Sequence, residues 1–379
     1  MHIAYVTETW PPEINGVSLS AARTVGFLRQ RRHRVDVIRP RQREEAPDTE
    51  TYLVRGFPLP LYRGLRLGLP HWRELERRWR AEPPDLVHVA TEGPLGLSAV
   101  ATANRLGICA TSDFRTRFDA YMGHYASSLL TDVALAYLRS FHNSFARTFV
   151  PTPELQAELR DEGFERLEVS SRGVDCAQFS PNHRSLALRE SWRARGPVVL
   201  SVGRLAKEKN LLLAAHAYLA MRAKIPQTRW VIVGDGPLRR MLENLCPEAV
   251  FAGNLEGEDL ARHYASADVF LFPSLTETFG NVTLEAMASG LAVVAFRTAA
   301  AHMHIQSGVN GCTLEPGDDA AFLASCVALA GDLDLARRLG SAARVRARSL
   351  DWNGVLSEFQ RQLTETLRTR PGHEHPLLA

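Results

Sequence analysis

The sequence has little lysine, no paired cysteine motif and no long apolar run. Lysine occurs only at positions 207, 209 and 224, so arginine supplies nearly all the basic charge. The five cysteines form no Cys-x-x-Cys pair, which disfavours zinc and disulfide frameworks and predicts free thiols in a cytosolic protein. No apolar run reaches the ~18 residues of a membrane span. Residues 2–6 follow no basic segment, so they predict a strand and not a signal peptide.

A glycine-rich dinucleotide-binding motif is absent from the sequence, and an Asp-x-Asp motif occurs only once. Neither half of the chain contains Gly-x-Gly-x-x-Gly, which disfavours a nicotinamide-type Rossmann enzyme. The one Asp-x-Asp motif is Asp332-Leu333-Asp334, close to a predicted helix start, where carboxylates favour the helix dipole. We therefore interpret it as structural, and the lack of a paired cysteine motif disfavours a bound metal.

What the sequence does contain is a strand–helix alternation that runs twice. With 379 residues, 45% of them apolar, the chain is long enough for two domains that each bury a core. The pattern predicts an α/β fold with one doubly wound domain over residues 1–180 and a second over residues 197–355. Residues 181–196 read as a linker, and a C-terminal helix in 356–379 is expected to pack back on the first domain. Two such domains facing each other place a ligand cleft between their strand ends.

Basic charge is concentrated near the N-terminus. Residues 23–80 hold 15 arginines against 7 acidic residues. Such a region suits an anionic partner, or it is simply a solvated surface. Nucleic acid is not expected, because no recognised module interleaves these arginines with aromatic residues. In the helix predicted within this region, Trp72, Leu75 and Trp79 are expected to pack on the sheet.

The most informative stretch is residues 271–290. An apolar strand is followed by a polar loop with Glu277, and Gly280-Asn281 then opens a helix that carries Glu285. Free backbone N–H groups at a helix start form an anion site. Acidic side chains beside an anion site predict a ligand that has both phosphates and hydroxyls.

A second cluster follows the first strand of the second domain. Arg204 and Lys209 stand between this strand and the next helix. Two cations beside a helix N-terminus suit a diphosphate. The alternative is an exposed basic loop with no ligand.

Taken in order along the chain, these motifs resemble the retaining glycosyltransferases of family 4, which have the GT-B fold. The resemblance covers nearly the whole chain and includes six motifs: Asn15-Gly16-Val17, Gly173-Val174-Asp175, Gly203-Arg204 through Lys209-Asn210, Val233-Gly234-Asp235-Gly236-Pro237, the run from Ala267 to Ser274, and Glu277-x7-Glu285.

The resemblance implies a role for each motif residue. Glu277 would lie at the donor sugar, Glu285 would hold the nucleotide ribose, and Arg204 and Lys209 would stabilise the diphosphate. Gly16 would let the first loop approach the donor phosphate and the acceptor. The further donor-binding positions that it implies are Gly203, Gly234, Gly253, Phe279, Gly280 and Asn281.

One position departs from the family pattern. Many members carry a histidine near the reacting sugar, and here Arg115 stands at that position. A guanidinium stays protonated and cannot act as a base, so the departure raises interest in Asp113 as a catalytic residue. His124 is a second candidate on the acceptor side, although a plain structural histidine is the favoured interpretation. The full acceptor-side set is Asn15, Gly16, Arg115, Tyr121 and His124.

The resemblance implies transfer of a hexose from a GDP-mannose or UDP-glucose type donor to a hydroxyl, with retention. The expected acceptor is a membrane glycolipid or diacylglycerol, met by a cytoplasmic enzyme peripheral on the inner face of the membrane. No cofactor is expected besides the nucleotide sugar. The alternatives are a soluble or polysaccharide acceptor, a nucleotide-sugar hydrolase or epimerase, and an inactive sugar-nucleotide-binding protein.

Overall fold

The computed structural model describes residues 1–11, 13, 16–41, 51–58, 66–115 and 128–369. The chain divides into two compact units, and each is described by itself. Unit 1 comprises Met1–Ser171 and Val355–Ala379, and unit 2 comprises Arg172–Gly354. Within the described ranges, no helix combines the length and apolar character needed to cross a membrane.

Unit 1 is built on a seven-stranded parallel sheet with the order β3-β2-β1-β6-β7-β8-β9. Its strands are β1 His2–Val6, β2 Arg34–Pro40, β3 Thr51–Val54, β6 Leu86–Val89, β7 Cys109–Asp113, β8 Arg147–Val150 and β9 Leu167–Val169. A separate antiparallel pair is formed by β4 Gly56–Pro58 and β5 Arg66–Gly68. The helices are α1 Gly16–Gln30, α2 Trp72–Ala81, α3 Pro94–Leu106, α4 Ser128–His142 and α5 Pro153–Asp161.

The central strands of unit 1, β1 and β6, are mostly apolar and are buried on both faces. Ile3, Ala4, Tyr5 and Val6 of β1 are all buried, as are all four residues of β6. Continuous apolar strands are typical of parallel sheets covered by helices on both sides. The last helix of the chain, α14 Trp352–Arg368, contributes Gln362, whose side-chain amide donates to the carbonyl of Val169 at 2.9 Å.

Unit 2 repeats this plan with a six-stranded parallel sheet of order β12-β11-β10-β13-β14-β15. Its strands are β10 Val198–Val202, β11 Arg229–Val233, β12 Val250–Gly253, β13 Val269–Phe272, β14 Ala292–Phe296 and β15 Cys312–Leu314. Its helices are α6 Leu186–Ser191, α7 Leu211–Lys224, α8 Arg239–Leu245, α9 Gly257–Ser266, α10 Asn281–Ala288, α11 Ala299–His304, α12 Asp319–Gly331 and α13 Leu333–Arg348, with 3-10 turns at Pro181–His183 and Lys207–Lys209.

Both sheets reverse their strand order at an equivalent place. In unit 1 this switch point lies between β1 and β6, and in unit 2 it lies between β10 and β13. The connections leave opposite faces of the sheet there, so a crevice opens at the carboxyl ends of the two central strands. The fold therefore directs attention to the residues that follow these four strands.

Two sequence expectations can be compared directly with these elements. Asp332 caps α13, because its Oδ1 accepts the N–H of Leu335 at 2.8 Å, which confirms the helix-start interpretation of the Asp-x-Asp motif. The prediction for α2 is correct for Leu75 and Trp79, which are buried, but wrong for Trp72. Trp72 is the first residue of the helix, ahead of the turn that packs on the sheet, and is 49% exposed.

Candidate active site

In unit 2, the cleft at the switch point brings both predicted cations together. It is lined by the ends of β10 and β13 and the loop between β10 and α7. Arg204 and Lys209 both lie on its wall, beside Gly203 and Phe272. The ammonium of Lys209 is 5.7 Å from the centre of the Phe272 ring.

The local sequence explains why Lys209 reaches this wall. Lys207–Lys209 form one 3-10 turn, and Asn210 then takes a left-handed conformation (φ 50°), which asparagine tolerates better than most residues. The loop after β13 is tied to this turn, because the N–H of Leu275 donates to the carbonyl of Glu208 at 3.1 Å. The 3-10 turn and the loop that carries Glu277 are thus held side by side.

Each cation in the cleft is matched to a carboxylate. Lys209 bonds to Oε1 of Glu277, whose side chain is only 11% exposed. Arg204 donates to Oε1 of the buried Glu208 at 2.5 Å. Glu208 was not among the sequence-predicted residues, because Arg204 lies in an irregular loop before the 3-10 turn and no helical spacing relates the two side chains.

The second carboxylate of the motif, Glu285, lies inside α10. Its Oε2 accepts a hydrogen bond from the hydroxyl of Tyr264 at 2.8 Å. Gly280 precedes the helix in a left-handed conformation (φ 83°), and no side chain caps the helix start. The start of α10 lies next to Glu277, because a Cβ placed on Gly280 would be 3.6 Å from Cγ of Glu277.

The remaining donor-side positions differ in what they do locally. A Cβ on Gly234 would clash with the carbonyl oxygen of Gly203, so Gly234 permits two loops to pack together. Gly253 has open space around it, and its carbonyl accepts the N–H of Gly234 at 2.7 Å. Phe279 is buried, with its carbonyl accepting the N–H of Ala300.

In unit 1, three acidic residues follow the central strands at the carboxyl edge of the sheet. Glu8 comes after β1, Glu92 after β6, and Asp113 ends β7, and all three are buried. Only Asp113 was singled out from the sequence. The sequence did contain a signal for the other two. Glu8 and Glu92 each stand within three positions of the end of a buried parallel strand.

Asp113 and Arg115 form a buried ion pair. Arg115 Nε donates to Asp113 Oδ2 at 2.6 Å, and Nε2 of His88 lies 3.4 Å from the same oxygen. The guanidinium also reaches the Tyr5 hydroxyl at 3.2 Å and Oγ of Ser20 in α1. Burial alone would lower the pKa of Arg115, but the nearby carboxylates raise it above its ordinary value. Arg115 therefore holds the start of α1 in position through its contact with Ser20.

Glu8 and Glu92 each meet a different partner. Glu8 accepts the N–H of Leu95 at the start of α3 at 3.0 Å, and also that of Gly68. Burial raises the pKa of Glu8 to about 7, against the lowering effect of these N–H groups. Glu92 Oε1 lies 3.5 Å from Nε2 of His142.

Gly16 is the first residue of α1, and the Arg115 guanidinium lies close to the carbonyl of the next residue, Val17, at 3.4 Å. Three predicted acceptor-side residues, Asn15, Tyr121 and His124, lie outside the described residues. Among the described residues, no group of three or more His, Cys, Asp or Glu side chains is arranged to hold a metal ion.

Two parallel-sheet Rossmann-like units, one with a cation-lined cleft at its switch point, define a glycosyltransferase of the GT-B class. The match to known families agrees. Residues 14–178 match the model described as Glycosyltransferase Family 4, and residues 196–332 match the model described as Glycosyl transferases group 1. The chain belongs to glycosyltransferase family 4.

Named relatives extend over most of the chain. Two are GDP-mannose-dependent alpha-mannosyltransferases: one from Corynebacterium glutamicum is 35% identical over 84% of this chain and 78% of its own, and one from Mycolicibacterium smegmatis is 33% identical over 95% and 96%. A phosphatidyl-myo-inositol mannosyltransferase from M. smegmatis is 31% identical over 91% and 89%. The structure of Anabaena HepE in complex with UDP and glucose has a TM-score of 0.76 at 18% identity, covering 96% of this chain and all of that one. These comparisons confirm the predicted family, fold and glycosyltransferase activity.

Proposed function

We propose that this enzyme transfers a hexose from a GDP- or UDP-linked donor to a hydroxyl group of a membrane lipid, with retention at the anomeric carbon. The observation that carries the proposal is the cleft in unit 2, where Arg204 and Lys209 stand beside Glu277. Two fixed cations suit the diphosphate, which gains negative charge as it leaves. The neighbouring acid suits the hydroxyls of the sugar.

In the proposed reaction, the bond between the anomeric carbon and the diphosphate oxygen breaks while the acceptor oxygen bonds to the same face of that carbon. The acceptor proton passes to a phosphate oxygen of the leaving group. Arg204 and Lys209 hold the diphosphate, the start of α10 donates N–H groups, and Glu285 binds the ribose hydroxyls. Because these cations supply positive charge at the diphosphate, the transfer needs no bound metal, and a chelator would leave the rate unchanged.

Asp113 has a positioning role in this proposal. One of its oxygens is held by Arg115 and lies near His88, and its side chain is 5% exposed, so it is poorly placed for attack on a sugar. Arg115 in turn fixes the start of α1 and thereby Gly16. A glycosyl-enzyme adduct trapped on Glu277 or Asp113 would contradict the single-step mechanism.

A lipid acceptor is supported by a surface of unit 1 and by the names of relatives. The phosphatidyl-myo-inositol mannosyltransferase acts on a lipid by its name. Four exposed apolar side chains lie on neighbouring segments around the starts of α2 and α3: Phe57, Leu69, Trp72 and Leu97. We call them the apolar patch. Arginines on the same segments suit the anionic face of a membrane, so we place the enzyme at the cytoplasmic surface.

The test is nucleotide release across a panel of GDP- and UDP-hexoses, each with diacylglycerol, phosphatidylinositol or a soluble glycan as acceptor. The proposal expects release with one type of donor that requires a lipid acceptor, and an α-linked product by NMR when the donor is α-linked. Release without any acceptor would favour a hydrolase or epimerase. Transfer to the glycan alone would remove the lipid acceptor from the proposal.

A further inference from the structure

The hydroxyl of the buried Tyr264 donates a hydrogen bond to Glu285, the carboxylate that we assign to ribose binding. Tyr264 is in α9, is fully buried, and packs edge-on against Phe179 with ring centres 5.5 Å apart. The Phe270 ring is 5.7 Å away on another side. The hydroxyl donates to Oε2 of Glu285 at 2.8 Å. A phenylalanine at this position would fill the same space in the core. The hydroxyl therefore contributes through its hydrogen bond to Glu285 and not through packing.

This contact restricts the orientation of Glu285. A glutamate side chain has three rotatable bonds and loses considerable entropy when a ligand orders it. The tyrosine ring is already locked by the aromatic core, so its hydroxyl offers a fixed donor to one carboxylate oxygen. Burial and the neighbouring Glu285 raise the pKa of Tyr264 well above its ordinary value, so the phenol stays a donor at every pH at which the enzyme works.

We propose that Tyr264 is a positioning residue that gives the donor site its selectivity for ribose. It holds Glu285 so that the carboxylate accepts hydrogen bonds from the 2′- and 3′-hydroxyls of the bound nucleotide. The inference rests on the proposed function, because it needs Glu285 to be the ribose ligand. No substrate touches Tyr264 itself, and its effect is transmitted through one hydrogen bond.

Unit 2 offers a matched control in Tyr218. This residue of α7 is also fully buried, and its hydroxyl has no hydrogen-bond partner among the described residues. It packs against Trp230, with ring centres 5.6 Å apart, in a core cluster separate from that of Tyr264. Removing either hydroxyl deletes one buried oxygen, but only Tyr264→Phe alters Glu285.

The experiment measures dissociation constants of GDP, UDP and their 2′,3′-dideoxy forms by calorimetry, with the wild type, Y264F, Y218F and E285A. Y264F is expected to weaken binding of the preferred ribonucleotide roughly tenfold, the usual effect of losing a hydrogen bond to a charged group. Binding of the dideoxy form should not change. In steady state, the donor KM should rise with little change in kcat. Y218F should match the wild type throughout.

The outcomes separate the inference from the proposed function. If E285A loses selectivity for ribose and Y264F keeps it, the role of Tyr264 is wrong and that of Glu285 stands. If the wild type binds ribo and dideoxy forms equally, the ribose role of Glu285 fails, and the inference fails with it. Equal weakening of both forms in Y264F means a purely structural tyrosine. In an E285A background, Y264F should have no further effect, and an additional loss there would also overturn the inference.

Discussion

At the scale of single residues, each cation of the unit 2 cleft is paired with a carboxylate. Lys209 is bonded to Glu277 and Arg204 to Glu208, and both acids are largely buried. Because an ammonium has three N–H donors, a diphosphate can bind Lys209 while Glu277 keeps its hydrogen bond, but the carboxylate offsets the lysine charge and repels the phosphates. Under the proposed function, Glu277 weakens the binding of the nucleotide while it binds the sugar, and these two effects can be separated by substitution.

Glu277→Gln should bind GDP or UDP a few-fold more tightly than the wild type, because the competing charge on Lys209 is removed. The transfer rate should fall about 100-fold or more, as for the loss of a group that acts on the transition state. Calorimetry and initial rates give the two numbers. Glu243→Gln is the control, since Glu243 pairs with Arg239 at 2.8 Å on an exposed helix surface. Weaker binding together with an unchanged rate would contradict the assignment.

Glu8 gives a pH-dependent prediction. Its pKa is raised from 4.5 to about 7, so the folded protein binds this proton more tightly than the unfolded chain. The resulting stability is complete below pH 4.5 and is lost as the pH rises through about 7. Between pH 5 and 8, Glu8→Gln should therefore gain stability relative to the wild type, by up to about 3 kcal/mol.

The measurement is denaturant unfolding of both proteins across that pH range. The quantity to compare is how the difference in unfolding free energy between the two proteins changes with pH. Any cost of the glutamine amide is the same at every pH and does not affect that change. A difference that stays the same at every pH would mean that Glu8 titrates with an ordinary pKa. Transfer activity over the same range then shows whether the packing of α3 on Glu8 matters to the acceptor side.

At the scale of elements, the loops after β10 and β11 pack so closely that only glycine fits. Gly234 has φ 130°, and a Cβ there would overlap the carbonyl of Gly203. Gly234→Ala should destabilise unit 2 by about 3 kcal/mol or more, from both the clash and the strained backbone. Gly331→Ala, at the end of α12 with nothing within 4 Å, should be close to neutral. Thermal unfolding of the two variants compares them, and equal melting temperatures would refute the close packing.

The sequence predicted the strands and helices better than it predicted which side chains contact each other. Strands such as β13 and β14 were accessible because each is an unbroken apolar run, and the Glu277–Glu285 spacing placed one acid in a loop and one in a helix. The partners depend on sheet order and register. Glu8 and Leu95 are 87 positions apart, and only the pairing of β1 with β6 brings them together. The contact of Tyr264 with Glu285 likewise needs α9 and α10 to lie beside β13, which no local pattern encodes.

Arg115 shows a different limit. Its position matched a family histidine, which placed it in the expected acceptor-side set. The structure surrounds its guanidinium with Asp113, Tyr5 and Ser20, partners that the motif did not predict. A sequence motif locates a residue along the chain, but whether a long side chain points to the ligand or into the sheet depends on the partners that the fold supplies.

At the scale of the whole molecule, the arginine excess of residues 23–80 is partly neutralised on the surface. Arg77 pairs with Glu74, Arg80 with Glu76, and Arg34 with Glu82. Exposed pairs of this kind contribute little to stability, but they reduce the positive charge available to a membrane. The apolar patch is therefore expected to supply a large part of membrane affinity.

Replacing Leu69 and Trp72 together by serine should reduce binding to vesicles of phosphatidylcholine and phosphatidylglycerol about tenfold or more, from the loss of two apolar side chains that enter the interface. Cosedimentation measures the bound fraction. Leu186→Ser with Val345→Ser is the control in unit 2, where these side chains are 73% and 72% exposed. Equal loss in both double variants, or in neither, would contradict membrane docking through the patch.

Under the proposed function, the unit 2 cleft binds the diphosphate of a nucleotide sugar through Arg204 and Lys209. Calorimetric titration of the wild type and Lys209→Met with GDP, UDP and the corresponding nucleosides tests it most directly. Lys209→Met should weaken binding of the preferred nucleoside diphosphate about 10- to 100-fold, the usual loss for a charge-assisted contact, and leave nucleoside binding unchanged. Diphosphate binding that is the same in the two proteins would contradict the account.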